Sequence, residues 1–464
     1  MEVKNLREAI LASGLKDGMM ISFHHHLRNG DYVMNMVVEE IAKLGIKDIK
    51  INTSSFMDIQ EPLIKHMENG VITAVESSYI SAKVGKAISS GVLKTPVVFR
   101  SHGGRAYDIV HGISKIDVAF IAASAVDKAG NCSGLIGKSA FGGLGYAAAD
   151  AEYAGYKIAV TDNYLGDTIL PKFSIAGNLI DCVSVVEAIG DPDGIVSSTT
   201  QITKSAMRLK IAKDVVNVME ATGFVKDGLN FQTGAGGITL AAAKYLREAM
   251  LKKNIKGGNC IGGITGFMVQ MLHDGCFEKI YNAQCFDRES VRSLLEDENH
   301  IEVSAYDYAA PTPTSLVNTL DVVLLGATEI DLNFNVNVHT DSYGHIMGGS
   351  GGHSDAAQGA KLTIIAAPLF RGRLCVIRDK VTAVTTPGEY VDILVTEYGV
   401  AVNPKREDLH KQLLAAGIRV MSIENQYALA LKLAGKPRSI SFNGREVAKV
   451  LFRCGKQIDS LKEC

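Results

Sequence analysis

Short runs of apolar and β-branched residues recur along the chain, and stretches with the spacing of amphipathic helices separate them. The clearest runs lie at residues 49–53, 97–100, 118–123, 157–161, 322–325, 362–366 and 391–395. This alternation of strands and helices predicts an α/β fold with largely parallel sheets. Glycine-containing turns follow several of the runs, and open α/β sheets usually build their ligand sites at such turns.

The sequence resembles itself at an offset of 204 residues. Residues 117–131 then lie over residues 321–335 and are identical at five of fifteen positions. A weaker similarity upstream relates residues 56–70 to residues 267–275. The same order at similar offsets predicts two homologous α/β domains, residues 1–226 and 227–464, whereas chance similarity of two buried strands is the alternative.

Chain length, composition and net charge indicate a folded globular protein and argue against a nucleic-acid-binding protein. The 464 residues exceed one usual domain length, and 47% hydrophobic with 21% charged residues is typical of a folded globular protein. Lys and Arg number 48 against 50 Asp and Glu, for a net charge of −2. Neither sign forms long runs, which argues against a nucleic-acid partner.

Cysteine usage and hydropathy predict a cytoplasmic protein. The longest apolar stretches, such as residues 118–126 and 362–370, reach about half of the roughly 20 residues that a membrane helix needs. We therefore expect no membrane association, and the first residues do not form a secretion signal. The eight cysteines contain no C-x-x-C pair and do not indicate a disulfide framework.

One position of the internal repeat changes its chemistry, because Ala125 of the first half corresponds to Glu329 of the second. A carboxylate at the end of a buried strand is costly unless it is paired or hydrogen-bonded. Glu329 is therefore a candidate catalytic or ligand-binding residue, and a solvated surface position is the alternative.

The glycine-rich stretch at residues 348–352 satisfies the G-x-S-x-G pattern of a serine nucleophile. No clear strand leads into it, so we prefer a backbone cradle in which Gly349, Ser350 and Gly351 lie beside a developing oxyanion. A flexible loop is the alternative.

Two further glycine motifs are candidate phosphate cradles. Residues 143–148 have the G-x-G-x-x-A form of a dinucleotide fingerprint, but no strand closely precedes them. Gly234, Gly236 and Gly237 stand between an apolar run and a helical stretch, which suits a phosphate or pantetheine cradle at a helix N-terminus. A plain loop at a helix start would have the same sequence.

Two clusters combine imidazole and guanidinium groups in the first half: His24, His25 and Arg28 in one, His102 and Arg105 in the other. Three adjacent histidines on an extended segment alternate faces, and no zinc-like spacing supports them, so we predict no metal site. Arginine forks match carboxylates, which suits a small polyanionic substrate. Simple solvation of the arginines is the alternative.

Taken together, these motifs resemble the citrate lyase alpha subunits, which are citrate CoA-transferases of the CoA-transferase superfamily. The resemblance runs over essentially the whole chain. It is carried by Phe23-His24-His25 with Asn29-Gly30-Asp31, Ser101 to Arg105, Gln232-Thr233-Gly234 with Gly236-Gly237, Glu329-Ile330-Asp331 with Phe334 to Val338, Ser350 to His353 with Asp355, and Thr386-Pro387-Gly388 with Val391 to Thr396.

The resemblance implies two similar domains of the CoA-transferase fold with the active site between them. It implies exchange of acetyl for citrate on a CoA-type thioester, giving a citryl thioester and acetate. It also implies no tightly bound cofactor on this chain. The implied partners are citrate, acetyl-CoA or an acyl-carrier gamma subunit with a CoA-like prosthetic arm, a citryl lyase beta subunit, and further copies of the chain in a larger complex.

For the site, the resemblance implies that Gly351 and Gly352 join Gly234, Gly236 and Gly237 in binding the CoA arm. Glu329 matches the glutamate that related transferases use as nucleophile, yet citrate lyase alpha subunits are grouped with enzymes that transfer directly. Its role therefore stays open between attack and orientation of the substrate. The competing functions are another acyl-CoA transferase or acyl-CoA hydrolase, a non-catalytic scaffold, and an NAD-dependent dehydrogenase.

Overall fold

The computed structural model describes residues 1–196, 201–437 and 440–464, which form two open sheets flanked by helices. The first half contains the strands β1 Val3–Lys4, β2 Met20–Phe23, β3 Ile49–Thr53, β4 Ile72–Ser77, β5 Val97–Phe99, β6 Val118–Ala123, β7 Ala125–Val126, β8 Cys132–Ser133, β9 Tyr156–Thr161 and β10 Cys182–Val185. Its helices are α1 Leu6–Ala12, α2 Val33–Lys43, α3 Ile64–Glu68, α4 Ala82–Ser89, α5 His102–Val110 and α6 Ala148–Tyr153.

The second half begins with a long helix and then repeats the strand-helix pattern. Its helices are α7 Ala206–Ala221, α8 Gly237–Lys253, α9 Gly266–His273, α10 Arg288–Glu296, α11 Ala305–Ala309, α12 His353–Gly359, α13 Glu407–Ala415 and α14 Ile423–Ala434. Its strands are β11 Phe231–Thr233, β12 Gly257–Ile264, β13 Phe277–Cys285, β14 His300–Glu302, β15 Val322–Leu325, β16 Glu329–Asp331, β17 Val336–Asn337, β18 Leu362–Ala366, β19 Phe370–Arg371, β20 Leu374–Cys375, β21 Ile377–Arg378, β22 Ile393–Thr396 and β23 Gly399–Val402. The strands β24 Glu446–Leu451 and β25 Gln457–Lys462 follow.

The two sheets share one strand order. The first runs β1-β10-β9-β6-β2-β3-β4-β5-β24-β25, and the second runs β23-β22-β18-β15-β11-β12-β13-β14. The segment β10-β9-β6-β2-β3-β4-β5 therefore corresponds to β22-β18-β15-β11-β12-β13-β14, and the pairs within both segments are parallel. The predicted α/β class with an internal duplication is confirmed, and every predicted apolar run overlaps a strand.

One turn in each half has the same side-chain hydrogen bonds, which supports the duplication. The Asp127 carboxylate accepts hydrogen bonds from the backbone N–H (3.0 Å) and the side-chain amide (2.8 Å) of Asn131. The Asp331 carboxylate accepts the same two bonds from Asn335, at 2.9 and 3.1 Å. The identical Asp and Asn of the sequence repeat thus close the same turn in both halves, because each carboxylate replaces backbone partners that the turn lacks.

The hydrophobic cores depart from the predicted domain ranges of 1–226 and 227–464 in two places. The apolar face of α7, including Ile211, Val215 and Met219, packs in the second core beside Phe231. At the other end, β24 pairs in parallel with β5 and β25 completes the first sheet. The C-terminal hairpin therefore belongs to the first sheet, although a long second-half segment precedes it.

Within the described ranges, we find no helix with the length and hydropathy needed to cross a membrane. The two halves are in direct contact where a helix of each meets the other. There α5 of the first half packs closely on α11 of the second: a Cβ at Gly103 would lie 1.8 Å from the carbonyl oxygen of Ala309. Only glycine permits this approach.

We expect Gly103→Ala to destabilise the protein. Alanine is favoured over glycine inside a helix by about 0.5–1 kcal/mol, but overpacking usually costs about 1–3 kcal/mol and should prevail at this contact. The measurement is the melting temperature and the urea midpoint. Gly326→Ala is the matched control, because a Cβ there meets no atom within 4 Å. Equal stability of the two variants would contradict the close contact.

Candidate active site

A cavity of about 560 Å³ lies between the two halves. Its wall is built by turns that follow the carboxyl ends of β2, β4, β11, β13, β15 and β18, and by the glycine-rich loop at 348–352. This is where parallel α/β sheets place ligand sites. Both halves contribute side chains, in agreement with the site between two domains that the family resemblance implies.

His25, which follows β2, presents a neutral imidazole to the cavity. Its backbone N–H donates to the Ser54 hydroxyl oxygen (3.0 Å), and that oxygen lies 2.6 Å from the imidazole Nδ1. Because the hydroxyl accepts from the backbone, its own proton can donate to Nδ1, which leaves Nε2 as the N–H donor. Burial, followed by the charges of His102 and Arg28, holds the pKa of His25 well below its usual range.

Arg28 supplies positive charge to the same wall. Its guanidinium carbon lies 4.9 Å from the centroid of the Phe286 ring, a cation–π contact across the halves. The backbone of Arg28 has a φ of 53°, in the left-handed region that non-glycine residues rarely adopt. Such strain persists only where the surrounding structure imposes it, and it is often found at ligand sites.

His102 begins α5 and joins the two halves. Its backbone N–H donates to the carbonyl oxygen of Gly351 at 2.8 Å, and its ring lies 4.5 Å from that of Tyr146. Burial, followed by the charge of Arg105, lowers the pKa of His102 to about 3. The His102 ring is therefore neutral at physiological pH, like that of His25.

The glycine-rich loop at 348–352 is held against the first half on both sides. Gly351 N–H donates to the carbonyl oxygen of Ser78 (3.0 Å), and Ile80 N–H donates to that of Gly348 (3.1 Å). A Cβ at Gly349 would lie 2.3 Å from the Ser78 carbonyl oxygen. The loop is therefore rigid and its glycines are required by close packing.

Two backbone donors of this loop remain available. Within the described part of the chain, the N–H groups of Gly349 and Ser350 have no hydrogen-bond partner. Fixed, unused donors beside a cavity are the arrangement that stabilises an oxyanion. The Ser350 hydroxyl instead lies 2.6 Å from that of Ser354 with no basic partner, which argues against the serine nucleophile considered from the sequence.

The second glycine turn leads into α8. Gly234 N–H donates to the Leu324 carbonyl oxygen (2.8 Å), and the Thr239 hydroxyl donates to the Gly234 carbonyl oxygen (2.7 Å). Gly236 and Gly237 lie on the cavity wall at the N-terminus of the helix. The first N–H groups of a helix lack partners within it and carry partial positive charge, so this end can face an anionic or amide-containing ligand.

Glu329 is not on the cavity wall. Its side chain is fully buried, where Oε2 accepts from the Asn337 amide (3.0 Å) and the Thr382 N–H (2.9 Å). Its Oε1 lies 3.1 Å from the Nε of Arg378. The expectation that Glu329 faces the substrate therefore disagrees with the structure, because the short sheet β17-β16-β21 turns this carboxylate toward its own arginine.

Two more predicted residues lie behind the wall. Arg105 donates two hydrogen bonds to the Asp150 carboxylate, at 2.7 and 3.0 Å, and one to the Asn52 amide oxygen at 2.6 Å. His24 accepts a hydrogen bond from Ala122 N–H at 2.9 Å. The structure does bring the remaining predicted residues to the cavity: His25, Arg28, His102, Gly234, Gly236, Gly237, Gly349, Ser350, Gly351 and Gly352.

Several wall residues were not predicted from the sequence. Gln284 donates to the backbone carbonyl oxygen of His25 at 3.1 Å, and Phe286 follows it at the end of β13. Tyr146 and Tyr308 add buried rings. Gln284 and Phe286 could have been predicted, because they lie at the carboxyl end of β13. Tyr146 and Tyr308 carry no such signal in the sequence, since their proximity depends on the packing of α6 and α11.

Two exposed arginines complete the wall. Arg208 lies in the first turn of α7 and Arg371 on β19, and neither pairs with an acidic side chain within the described residues. The described residues of the wall include no Asp or Glu. Among the described residues, no cluster of three His, Cys, Asp or Glu side chains could hold a metal ion. The cavity thus combines cationic, neutral imidazole and amide donors.

Comparison with known proteins identifies the family. The model of the family described as "Citrate lyase, alpha subunit (CitF)" matches residues 2–464. The chain belongs to the citrate lyase alpha subunit family. A citrate lyase alpha chain of Klebsiella pneumoniae is 43% identical over 99% of this chain and 90% of its own length, and that of Haemophilus influenzae is 44% identical over 98% and 91%.

The comparison with solved structures supports the same family assignment. An alpha subunit of citrate lyase from Streptococcus mutans, in complex with citrate, has a TM-score of 0.97 and 45% identity and covers 100% of this chain and 91% of its own. A malonate decarboxylase alpha subunit from Acinetobacter baumannii, with a TM-score of 0.68 at 14% identity, shares the fold. The resemblance, the CoA-transferase fold and the enzyme class citrate CoA-transferase that we predicted are confirmed.

Replacement of Glu329 tests whether this residue is a buried partner of Arg378 that takes no part in the reaction. We expect Glu329→Gln to retain citryl thioester formation but to lose about 3–5 kcal/mol of stability, because Arg378 stays buried without its anion. Glu329→Gln combined with Arg378→Met should recover part of the loss, measured as melting temperature and unfolding free energy. A Glu329→Gln protein that melts like the wild type yet transfers no acyl group would contradict this position.

Proposed function

We propose that the cavity between the halves catalyses the citrate CoA-transferase step of citrate lyase. An acetyl group on a CoA-type thioester is exchanged for citrate, which yields a citryl thioester and acetate. Family membership supports the reaction, and the citrate complex of the Streptococcus mutans relative supports the substrate. The observation that carries the site is a wall whose described residues include Arg28, neutral imidazoles and unused backbone donors but no carboxylate.

Citrate binds against the first-half side of the wall. The Arg28 guanidinium can donate two hydrogen bonds to one carboxylate of citrate, and the Nε2–H of His25 donates a further one. A neutral imidazole suits this role, because it keeps its donor over a broad pH range while Arg28 provides the charge. Because no acidic side chain is among the described wall residues, the wall does not repel the trianion.

The transfer then proceeds in two displacements. A carboxylate oxygen of citrate attacks the acetyl thioester carbon. The carbon–sulfur bond breaks, which releases the thiolate and forms a mixed citryl-acetyl anhydride. The thiolate next attacks the citryl carbonyl carbon and releases acetate. Both steps pass through an oxyanion, for which the N–H groups of Gly349 and Ser350 are the proposed donors. Thioester energy is conserved, so no nucleotide hydrolysis is required.

The composition of the wall supports direct transfer between the substrates. A covalent route requires a protein carboxylate that attacks the thioester, and the described wall residues include none. Glu329, the sequence candidate, is engaged with Arg378. We therefore propose that both substrates occupy the cavity together and that the protein supplies orientation and electrostatic stabilisation.

The CoA-type arm lies along the second half. Gly234, Gly236 and Gly237 leave room for a pantetheine chain beside the α8 N-terminus, and Gly351 and Gly352 border the reacting thioester. We propose that the arm belongs to acetyl-CoA or to the acyl-carrier gamma subunit. The beta subunit would then cleave the citryl thioester, with several copies of each chain in a cytoplasmic complex.

The reaction itself is the first test. Purified protein with acetyl-CoA and citrate should form citryl-CoA and acetate, followed by mass spectrometry, with the acyl-carrier subunit supplied in parallel. Hydroxylamine and borohydride should trap no acyl or thioester adduct on the protein, because no carboxylate is among the cavity-lining residues that the structure describes. An adduct would contradict direct transfer, and acetate release without citryl-CoA would indicate a hydrolase instead.

Variants of Arg28 and Arg105 should differ in effect, because we assign Arg28 to citrate binding and Arg105 to the stability of the fold. Arg28→Gln should raise the KM for citrate by about 10- to 100-fold, since a charged hydrogen bond is worth roughly 1.5–3 kcal/mol, and leave the KM for acetyl-CoA almost unchanged. Arg105→Gln should instead lower the melting temperature, because Asp150 stays buried without its partner. Equal effects of Arg28→Gln on both KM values would contradict its assignment to citrate.

A further inference from the structure

The hydroxyl group of Tyr308 is a polar group on the cavity wall that the reaction described above does not use. The residue is 3% exposed, and its hydroxyl oxygen accepts a hydrogen bond from the side-chain amide of Gln232 at 2.8 Å. None of the residues that the structure describes accepts the proton of this hydroxyl. The phenol therefore keeps one hydrogen-bond donor for a ligand.

This hydroxyl lies against the glycine-rich loop at 348–352. A Cβ at Gly352 would lie 2.7 Å from the hydroxyl oxygen of Tyr308. Gly352 is only two residues beyond Ser350, whose N–H group, with that of Gly349, is an unused donor of the same loop. The phenol and the two backbone donors thus border one end of the cavity, although they belong to different elements.

Helix α11 fixes the position of Tyr308. At its N-terminus, the Ser304 hydroxyl oxygen accepts a hydrogen bond from the Asp307 N–H at 3.0 Å. The helix also packs on α5 through the close contact of Ala309 with Gly103. A donor that is held in place before the substrate arrives needs no reorganisation when negative charge develops, and this is the property of an oxyanion site.

The backbone beside Gln232 leaves room for the amide that holds Tyr308. Gln232 lies on β11, and the neighbouring strand β12 has a bulge between Gly262 and Gly263. Gly262 has a φ of 108°, and a Cβ there would lie 3.0 Å from the Cδ of Gln232. Glycine and the bulge together permit the approach of the side-chain amide, and bulges are common beside active sites.

The phenol of Tyr308 stays neutral. Burial raises the pKa of Tyr308 above its usual range, with further contributions from Tyr146 and Asp355. The group therefore keeps its proton at physiological pH. A neutral phenol of this kind stabilises an oxyanion through a hydrogen bond, without transfer of its proton.

We propose that Tyr308 is a catalytic residue that donates a hydrogen bond to the carbonyl oxygen of the reacting thioester, and that Gln232 is a positioning residue that orients its hydroxyl. This inference rests on the proposed function, because it assumes an acyl thioester at the glycine-rich loop. Negative charge grows on the carbonyl oxygen as the carboxylate or the thiolate attacks, and the hydrogen bond strengthens with it. The phenol keeps its proton in both displacements, so the bonds formed and broken are unchanged.

Steady-state kinetics test the role of the hydroxyl. Tyr308→Phe keeps the ring but should lower kcat for citryl-CoA formation by about 100-fold, a typical loss when one oxyanion donor is removed. The KM values for citrate and acetyl-CoA should each change by less than about threefold, because the bond acts mainly in the transition state. An unchanged kcat, or a raised KM for citrate with normal kcat, would contradict the proposal.

Tyr390→Phe is the matched control. The Tyr390 hydroxyl oxygen also accepts from a glutamine amide, that of Gln358 at 3.4 Å, but Tyr390 is not among the described residues of the cavity wall. This variant should keep the wild-type kcat. A loss of kcat equal to that of Tyr308→Phe would show an effect unrelated to the cavity and would overturn the assignment.

A double-mutant cycle tests the role of Gln232. Gln232→Met removes the amide donor at similar side-chain length and should lower kcat by about tenfold, since the hydroxyl loses its orienting hydrogen bond. Combined with Tyr308→Phe, it should be no slower than Tyr308→Phe alone, because Gln232 acts through the hydroxyl. Full multiplication of the two effects would contradict the positioning role.

Infrared spectroscopy of bound [1-13C]acetyl-CoA separates this inference from the proposed function, since it requires neither citrate nor turnover. The labelled carbonyl band should lie at lower wavenumber on the wild type than in solution, and Tyr308→Phe should reverse part of that shift. Equal band positions in the two proteins would overturn the role of Tyr308 even if transfer occurs. A wild type that shows the shift but forms no citryl-CoA would overturn the proposed function instead.

Discussion

The close contact between the glycine-rich loop and the first half is the constraint on which the site depends. The loop at 348–352 belongs to the second half, yet it bonds to Ser78 and Ile80 on one side and to the start of α5 on the other. A side chain at Gly349 would collide with the Ser78 carbonyl oxygen at 2.3 Å. Because the loop is clamped in this way, its unused N–H groups hold a fixed position, which is what stabilisation of an oxyanion requires.

The distribution of charge explains which chemistry the cavity can perform. Carboxylates of the interior are matched to arginines away from the wall, as Glu329 is with Arg378 and Asp150 with Arg105. The wall keeps cations, and burial keeps its histidines neutral because a desolvated imidazolium is unfavourable. This distribution of charge suits a polyanionic substrate, and the described residues of the wall include no carboxylate that could act as a nucleophile. It supports the direct transfer that we propose.

Duplication followed by divergence gives the two halves different tasks. Both retain the turn closed by Asp127 in one half and Asp331 in the other, which shows that the common backbone is preserved. The turns after the equivalent strands β2 and β11 differ: the first carries imidazole and guanidinium groups, and the second carries glycines at the start of α8. One half thus presents charge and the other presents open backbone, so that a carboxylate and a thioester arm can meet between them.

The sequence by itself determined the α/β class, the duplication and the cationic and glycine-rich parts of the cavity wall, because apolar periodicity, an identical Asp–Asn turn and glycines at strand ends are local properties of the chain. His25, Arg28 and the residues of both glycine turns were predictable for this reason. The tertiary structure alone decided the place of Glu329, Arg105 and His24, since a carboxylate, guanidinium or imidazole can face a substrate or a buried partner equally well in a linear pattern. It also decided that α7 joins the second core and that the C-terminal hairpin joins the first sheet. These arrangements depend on contacts between residues far apart in the chain, such as Glu329 with Thr382 and β24 with β5, which no local pattern encodes.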